Sequence, residues 1–308
     1  MSHNPFVDVC GWSIARLVPV GDNAERAFDW LMKHEELSMY HRSFIQYQRR
    51  GATEPPDYAS TRQVVKELNE PVADLSKIYH GFFQLSFSNP RSNTAKLVWR
   101  IGRGRDKFGN TDRDVDLLIT PPGKPTAGVA PVHALVQFHS QSGSLMLTGV
   151  DNDHPIRYQL PNGILNLYNN DKHVLCQIVN RFSLGALGFE LIFDTHSDEE
   201  YQNYIGLRNQ LFKHEDRPVP HPCISALPRR PYLQIGQVII HDTISNGAFG
   251  VVSAAVHART GEPMAVKESV IKTKKDADAF ESELFHSVSF TVSVALPSTV
   301  TRANCNVS

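Results

Sequence analysis

Two glycines and a downstream lysine are the residues whose types and spacing best suit phosphate chemistry. Gly247 and Gly250 lie between two β-rich runs, and Lys267 ends the next β-rich run, 263–267. Glycines at such a position let the backbone turn tightly and let its N–H groups approach phosphate oxygens closely. A simple β-turn would also explain the two glycines, so the lysine and its strand are the context that favours phosphate binding.

The segments around these residues predict a small β-sheet followed by a helix. Residues 251–258 are typical of a strand, residues 260–261 indicate a turn, and the strand that carries Lys267 comes next. Helical spacing of apolar residues begins near Asp276.

The centre of the chain predicts an antiparallel β-sandwich. Short β-rich runs, most of them separated by turn signals, begin at about residue 82; they are 82–87, 95–100, 134–139, 144–150, 164–168, 173–179 and 187–193. Many short strands at this spacing are typical of two packed sheets.

Helical segments flank this predicted sandwich. Residues 23–49 have helical spacing, and Ser197 with Glu200 three residues later forms a capping-box pattern that opens a helix to about Phe212. Five prolines within 217–231 predict an extended linker, because proline fixes φ and removes a backbone donor.

Composition sets the broad class of protein. The 308 residues have room for about two domains, and 41% hydrophobic with 20% charged residues is ordinary for a folded soluble chain. A formal net charge of −1 argues against direct binding of nucleic acid or of a membrane surface by the whole chain. The four cysteines form no CxxC pair, the histidines form no HExxH pattern, and no apolar run approaches the ~20 residues that span a bilayer. We expect no metal site and a nuclear or cytoplasmic location.

The predicted sandwich resembles a forkhead-associated (FHA) domain. The segment 99–103, Trp-Arg-Ile-Gly-Arg, resembles the strand end that places the family's Gly-Arg pair, and 187–193 resembles a last sandwich strand. The family's Ser-x-x-His signature should fall near 128–134, where only His133 matches. A lone histidine next to apolar residues is more often a core group than a ligand, so we expect His133 to be structural.

The FHA resemblance implies binding of a phosphothreonine-containing protein. In that family an arginine and a serine hold the phosphate, and a later asparagine holds the peptide backbone; Arg103 matches the arginine and Asn152 the asparagine. Ala130 occupies the serine position and has no side-chain donor, and Asp153 stands where the family usually has glycine.

Two outcomes are open for this phosphopeptide site. Arg105 and Lys107 add positive charge nearby and would replace part of the missing contact. The alternative is a structural sandwich that has lost ligand binding.

The glycine segment and its lysine resemble the N-lobe of a protein kinase. The glycine-rich loop corresponds to Ile244, Ser245, Asn246, Gly247, Ala248, Phe249, Gly250, Val251 and Val252, with Ser245 in place of the first glycine. Ala-Val-Lys at 265–267 resembles the β3 motif, whose lysine contacts the α- and β-phosphates of ATP. The resemblance implies ATP with Mg²⁺ as cofactor and Glu283 as the partner of Lys267, with Glu281 as the second choice; a solvated helix face is the alternative for either glutamate.

The order of modules is similar to that of checkpoint-type serine/threonine kinases and fungal FHA-kinase proteins. No HRD, DFG or APE motif occurs in the sequence, so the resemblance supplies no catalytic residue. It predicts a kinase-like chain that is truncated within the N-lobe and is inactive as a kinase because the catalytic C-lobe is missing. A non-catalytic FHA-type binding or scaffold protein is the alternative function.

The sequence thus predicts a multidomain α+β protein with N-terminal helices, an FHA-like antiparallel β-sandwich and a partial protein-kinase N-lobe. The predicted units are a helical accessory region (1–80), the sandwich (81–195), a helix with the Pro-rich linker (196–231), the partial N-lobe (232–287) and a non-kinase tail (288–308). The tail is rich in Val, Ser and Thr and contains Pro297, so we expect it to be disordered.

Overall fold

The computed structural model describes most of the chain. The described residues are 13–35, 37–49, 79–89, 98–105, 115–122, 128–194, 197–225, 227–228, 232–247, 250–270, 274 and 291–295. The elements are β1 (Ser13–Val20), α1 (Asp22–Lys33), α2 (Met39–Arg42), β2 (Ile45–Arg49), β3 (Tyr79–Ser86), β4 (Val98–Gly102), β5 (Leu117–Leu118), β6 (Ala134–Phe138), β7 (Leu145–Gly149), β8 (Ile156–Leu160), β9 (Gly163–Leu167), β10 (Lys172–Val174), β11 (Val179–Leu184), β12 (Leu187–Phe193), α3 (Asp198–His214), β13 (Leu233–Ile235), β14 (Val238–Gly247), β15 (Gly250–His257), β16 (Pro263–Val270) and β17 (Thr291–Ala295). No helix among the described residues is long and apolar enough to cross a membrane.

Two sheets enclose one large apolar core. The first has seven strands in the order β2-β3-β1-β12-β11-β8-β9, and the second has five in the order β10-β7-β6-β4-β5. Alternate residues of β12 are buried, which is the period of a strand with one face on a core. Strand pairing is antiparallel except between β4 and β5, so the predicted, mainly antiparallel β architecture is confirmed.

The N-terminal region contributes strands to this sandwich, and its prediction as a purely helical accessory region is wrong. β1 lies between β3 and β12, where Leu17 pairs with Phe83 on one side and Leu191 on the other. Leu17 is fully buried and Arg16 is partly exposed, so β1 has the alternation of a half-buried strand. The helical pattern of 23–49 is correct only for α1 and α2.

Helix α1 packs on β1, β3 and β12 of the seven-stranded sheet and adds to the core. Its buried residues, Ala24, Phe28, Leu31 and Met32, recur at helical spacing. The ring of Phe28 meets that of Phe83 edge to face, with centroids 5.4 Å apart. Residues 51–78 lie outside the described residues.

A third sheet follows the sandwich along the chain, in the order β13-β14-β15-β16-β17. The first four strands pair antiparallel, whereas β17 pairs parallel with β16. Residues 291–295 belong to the tail that we expected to be disordered, and that expectation is wrong for these five residues. The remainder of the tail lies outside the described residues.

Helix α3 and the Pro-rich segment connect the sandwich to the third sheet. The predicted capping box is confirmed, since the Ser197 hydroxyl accepts from the Glu200 amide and the Glu200 carboxylate accepts from the Ser197 amide. Within the segment predicted as an extended linker, the described stretch 217–225 contacts the third sheet near its end. The Asp242 amide donates to the Cys223 carbonyl at 3.1 Å, and Ile224 is buried.

Candidate functional site

The two glycines lie at the closed end of the β14–β15 hairpin. Gly247 pairs with Gly250, and Asn246 pairs with Val251. The turn residues Ala248 and Phe249 lie outside the described residues. The glycine segment predicted from the sequence is therefore the end of a hairpin, with Ile244 exposed on its first strand.

The hairpin shares one sheet face with the lysine. Val252 pairs with Ser245 on one side and with Lys267 on the other. Directly paired residues of adjacent strands point to the same face, so these three side chains form a row across β14, β15 and β16. Ser245 is exposed, and Val252 and Lys267 are partly buried.

The face that carries this row is covered at one end and open at the other. Two β15 residues on the same face, Ala254 and Val256, are buried in an apolar cluster with Met146 and Val174 of the sandwich. The hairpin end beyond Val252 has no such cover among the described residues. The described residues at the hairpin end, Ser245, Asn246 and Gly247, are exposed.

Strand β14 is irregular just before the glycines. Its register against β15 shifts between Ile240 and Thr243 and again between Thr243 and Ser245. Each shift adds one residue to β14, and such β-bulges bend and twist a strand. The row of Ser245, Val252 and Lys267 begins directly after the second bulge.

Glycine occurs at positions 247 and 250 for different physical reasons. At Gly250 φ is +125°, and an added Cβ would lie 2.0 Å from the Glu268 carbonyl oxygen of β16. Packing alone therefore requires glycine there. At Gly247 φ is outside the left-handed region and an added Cβ would meet nothing within 4 Å. Its open side leaves room for a ligand to approach the backbone.

The phosphopeptide candidate Arg103 follows β4 at the loop end of the sandwich. Its Nε donates to the Val129 carbonyl at 3.0 Å and its Nη1 to the Gly104 carbonyl at 3.3 Å. The Arg103 amide donates to the Ala130 carbonyl at 3.2 Å. These bonds hold Arg103 beside the 128–130 segment, as the FHA resemblance implies, and none of the carboxylates among the described residues pairs with its guanidinium.

Ala130 is almost fully buried, with an exposed fraction of 3%. Its amide donates to Nδ1 of His133 at 3.0 Å, so the neutral ring carries its proton on Nε2. Burial lowers the pKa of His133 to about 4, against a smaller opposing effect of Asp151. His133 is thus the structural core histidine that we expected, and it fixes the backbone of the 128–133 loop.

Asn152 lies on an exposed loop that meets the 128–133 loop. The Asp151 carboxylate accepts from the amides of Asp153 and His154, both at 2.8 Å, which closes a tight Asx-type turn around Asn152. The rings of His133 and His154 are 6.4 Å apart. The structure thus brings the Arg103 loop and the Asn152 loop to the same end of the sandwich.

A buried polar cluster that the sequence analysis missed supports the strand leading to Arg103. The carboxylate of Asp116, 1% exposed, accepts from the Arg100 amide at 2.7 Å, from the Arg100 guanidinium and from the Tyr40 hydroxyl. His41 Nδ1 lies 3.1 Å from the Asp116 carbonyl oxygen. Tyr40 and Asp116 are 76 positions apart, so no local sequence signal could connect them.

Several predicted features lie outside the described residues. These include Glu283 and Glu281, so the expected pairing with Lys267 stays a prediction, and Lys107. Within the described ranges no group of three or more His, Cys, Asp or Glu side chains could hold a metal ion.

Comparison with known proteins does not assign this chain to a family. No protein-family model matches the chain, and no curated protein matches it. One solved structure, described as the crystal structure of Rad53 1-466 in complex with AMP-PNP, aligns with 16% sequence identity and a TM-score of 0.33. The alignment covers 64% of this chain and 40% of that one, so this chain spans less than half of its neighbour's length. The similarity is weak and indicates no specific family.

Proposed function

We propose that this chain is a serine/threonine protein-kinase-like protein with a nucleotide-contacting hairpin and an FHA-like phosphopeptide module. The third sheet is then a partial kinase N-lobe, in which Gly247 and Lys267 contact ATP. The row of Ser245, Val252 and Lys267 beside the open Gly247 is the observation that carries this proposal. Because the sequence contains no HRD, DFG or APE motif, the proposal includes no phosphoryl transfer by this chain.

The proposed nucleotide contact rests on the geometry of one sheet face. Ser245 and Lys267 are two strand spacings apart, roughly 10 Å between their Cα atoms. Phosphates lying over Val252 would meet the hairpin-end backbone on one side and the Lys267 ammonium on the other, which acts as a point charge for phosphate. Mg²⁺ is usually held by one or two carboxylates together with substrate phosphates, so we propose that the nucleotide itself supplies most of its ligands.

Titration calorimetry with Mg-ATP on the full chain tests the nucleotide contact. We expect weak binding that Lys267→Ala abolishes and Gly247→Val reduces, because the valine side chain fills the space that phosphate would approach. Gly206→Ala is the matched control, since Gly206 also has nothing within 4 Å of an added Cβ and lies on the exposed side of α3. Submicromolar binding that survives Lys267→Ala would refute the proposal.

The phosphopeptide part rests on Arg103 and its loop. Its guanidinium already contacts two carbonyls, which fixes its position, and a phosphate would add charge-assisted bonds to the remaining N–H donors. Replacing buried Ala130 with serine would not add a phosphate donor, because the serine side chain would point into the protein. Exposed Arg105 is the better placed second donor.

Fluorescence anisotropy with a phosphothreonine peptide library tests this module. We expect Arg103→Ala to abolish binding, Arg105→Ala to weaken it, and Ala130→Ser to change it little. The unphosphorylated library is the ligand control, and Arg157→Ala, at an exposed position of β8, is the protein control. Binding that is unchanged in Arg103→Ala would favour a site elsewhere on the sandwich.

The alternative function is a non-catalytic FHA-type scaffold in which the third sheet is inert. Arg103 has no carboxylate partner among the described residues, and this favours phosphopeptide binding under either function. The two are distinguished by the calorimetry, because an inert third sheet predicts no ATP binding and unchanged phosphopeptide binding in Lys267→Ala.

A further inference from the structure

The third sheet packs against β7 and β10, in the smaller sheet of the sandwich, and this contact is here called the junction. The Val174 amide of β10 donates to the Ala258 carbonyl at 2.8 Å. The backbone of Gly261 lies so close that an added Cβ would be 2.7 Å from the Met146 sulfur. Buried apolar residues fill the space around these contacts: Met146, Val174, Cys176, Ile224, Ile239, Ala254, Val256 and Ala258.

Two histidines, His139 and His241, lie at the junction, and a third, His173, lies on the core side of β10, where it pairs with the core residue Leu147. The His139 ring packs against Gly261, since an added Cβ there would be 3.0 Å from its Cγ and Cδ2. His173 precedes Val174 in β10, and His241 lies in β14 of the third sheet. His173 and His241 are 2% and 9% exposed, and neither ring nitrogen of either residue has a hydrogen-bond partner among the described residues.

Charged groups around His139 are mainly basic. Nδ1 of His139 accepts from the Ser142 amide at 3.2 Å. Burial lowers the pKa of His139, Lys172 and Arg217 lower it further, and Glu262 opposes them.

Arg259 faces His173 from the turn between β15 and β16. Burial lowers the pKa of His173 to about 4, and the Arg259 charge acts in the same direction. On its other side the His173 ring lies 4.6 Å from the Tyr158 ring of β8. His173 therefore belongs to the sandwich core and stays buried when the third sheet is released.

His241 connects the third sheet to the packed Pro-rich segment. Its ring lies 4.5 Å from the Tyr232 ring. Burial lowers the pKa of His241 to about 4, and Asp242 provides the opposing charge. The next amide in the chain, that of Asp242, is the one bonded to Cys223.

We propose that the junction is a proton-sensitive contact, closed while His139 and His241 are neutral and released when they take up protons. Above pH 6.5 the histidines are neutral in both the docked and the released form, so pH has no effect. Below pH 6.5 the released form binds protons more readily, and docking weakens up to about tenfold per pH unit for each responding histidine. For His241 the effect levels off near pH 4. This inference does not depend on binding of ATP or phosphopeptide.

Hydrogen exchange of two neighbouring amides in the full chain gives a direct test. The Val174 amide is bonded across the junction to Ala258, whereas the next amide, that of Leu175, is bonded within the sandwich to the Leu145 carbonyl at 2.8 Å. Between pH 7.5 and 5.5 we expect the protection factor of Val174 to fall about tenfold from His241 alone and further with the response of His139, while that of Leu175 is retained. Equal loss at both amides, or no loss at Val174, would overturn the proposal.

Variants identify the responsible side chains. The double variant His139→Phe, His241→Phe keeps aromatic rings without titration, and we expect it to lose most of the pH response of Val174. His214→Gln, at an exposed position of α3, is the matched control and should respond like the natural chain. Gly261→Ala should expose the Val174 amide already at pH 7.5 while Leu175 stays protected. A double variant with the natural pH response would contradict the assignment to these histidines.

Discussion

Replacing Gly250 with alanine should destabilise the third sheet strongly, whereas the same change at Gly247 should not. At Gly250 the positive φ of +125° costs a residue with a Cβ about 1–3 kcal/mol. The added Cβ would also lie 2.0 Å from the Glu268 carbonyl oxygen, and overpacking of this kind costs about 1–3 kcal/mol. The expected loss is therefore about 2–6 kcal/mol. At Gly247 the added methyl meets nothing, and the stiffer unfolded chain gives a change between zero and a gain of about 1 kcal/mol.

Hydrogen exchange of the β15 and β16 amides is the suitable assay, because none of the tryptophans (Trp12, Trp30 and Trp99) lies in the third sheet. Gly250→Ala should reduce protection in these strands and leave β6 and β7 of the sandwich protected. Gly247→Ala should retain the natural protection everywhere. Equal protection of β15 in the two variants would refute the close approach of β16 to Gly250 and, with it, the structural explanation of that glycine.

Three further results are expected. Asp116→Ala should lower the free energy of unfolding of the sandwich by about 1.5–3 kcal/mol, because it removes the buried carboxylate that accepts from the Arg100 amide and the Tyr40 hydroxyl; thermal unfolding followed by fluorescence of buried Trp99 measures this. His133 should titrate near pH 4 in an NMR experiment, and its neutral ring should carry the proton on Nε2. Its contribution to the free energy of unfolding is therefore constant above pH 6.5, and the sandwich loses stability as pH falls from 6.5 towards 4. A titration near 6.5 would contradict the burial of His133. A radiolabelled phosphotransfer assay should detect no activity, and transfer that depends on Lys267 would show that the missing motifs are not required.

Local patterns explain which elements could be predicted from the sequence. Every second residue of β12 is a large apolar one, and the Ser197–Glu200 capping box lies within four residues, so both follow from neighbouring side chains. β8 and β11 were missed because polar residues stand on their outer faces and, in β11, also within the core. Asn180 of β11 is buried, and it accepts the Tyr158 hydroxyl at 2.7 Å.

The role of the N-terminal segment could not be predicted because it depends on distant partners. β1 is central in the seven-stranded sheet only because β3 and β12, more than sixty and more than 160 positions away, pair with its two edges. The helical pattern of 23–49 continues through residues that form β2, whose pairing with β3 overrides local preference.

For the candidate sites, the sequence by itself determined which residue types are available: two glycines before a strand lysine, and an arginine after a sandwich strand. Only the tertiary structure decided how they act together. Strand register placed Ser245, Val252 and Lys267 on one face, and the approach of β16 separated the packing role of Gly250 from the open Gly247. Register and close approach are set by backbone hydrogen bonds between strands and by the packing of whole sheets, and neither is a property of the residues taken one segment at a time.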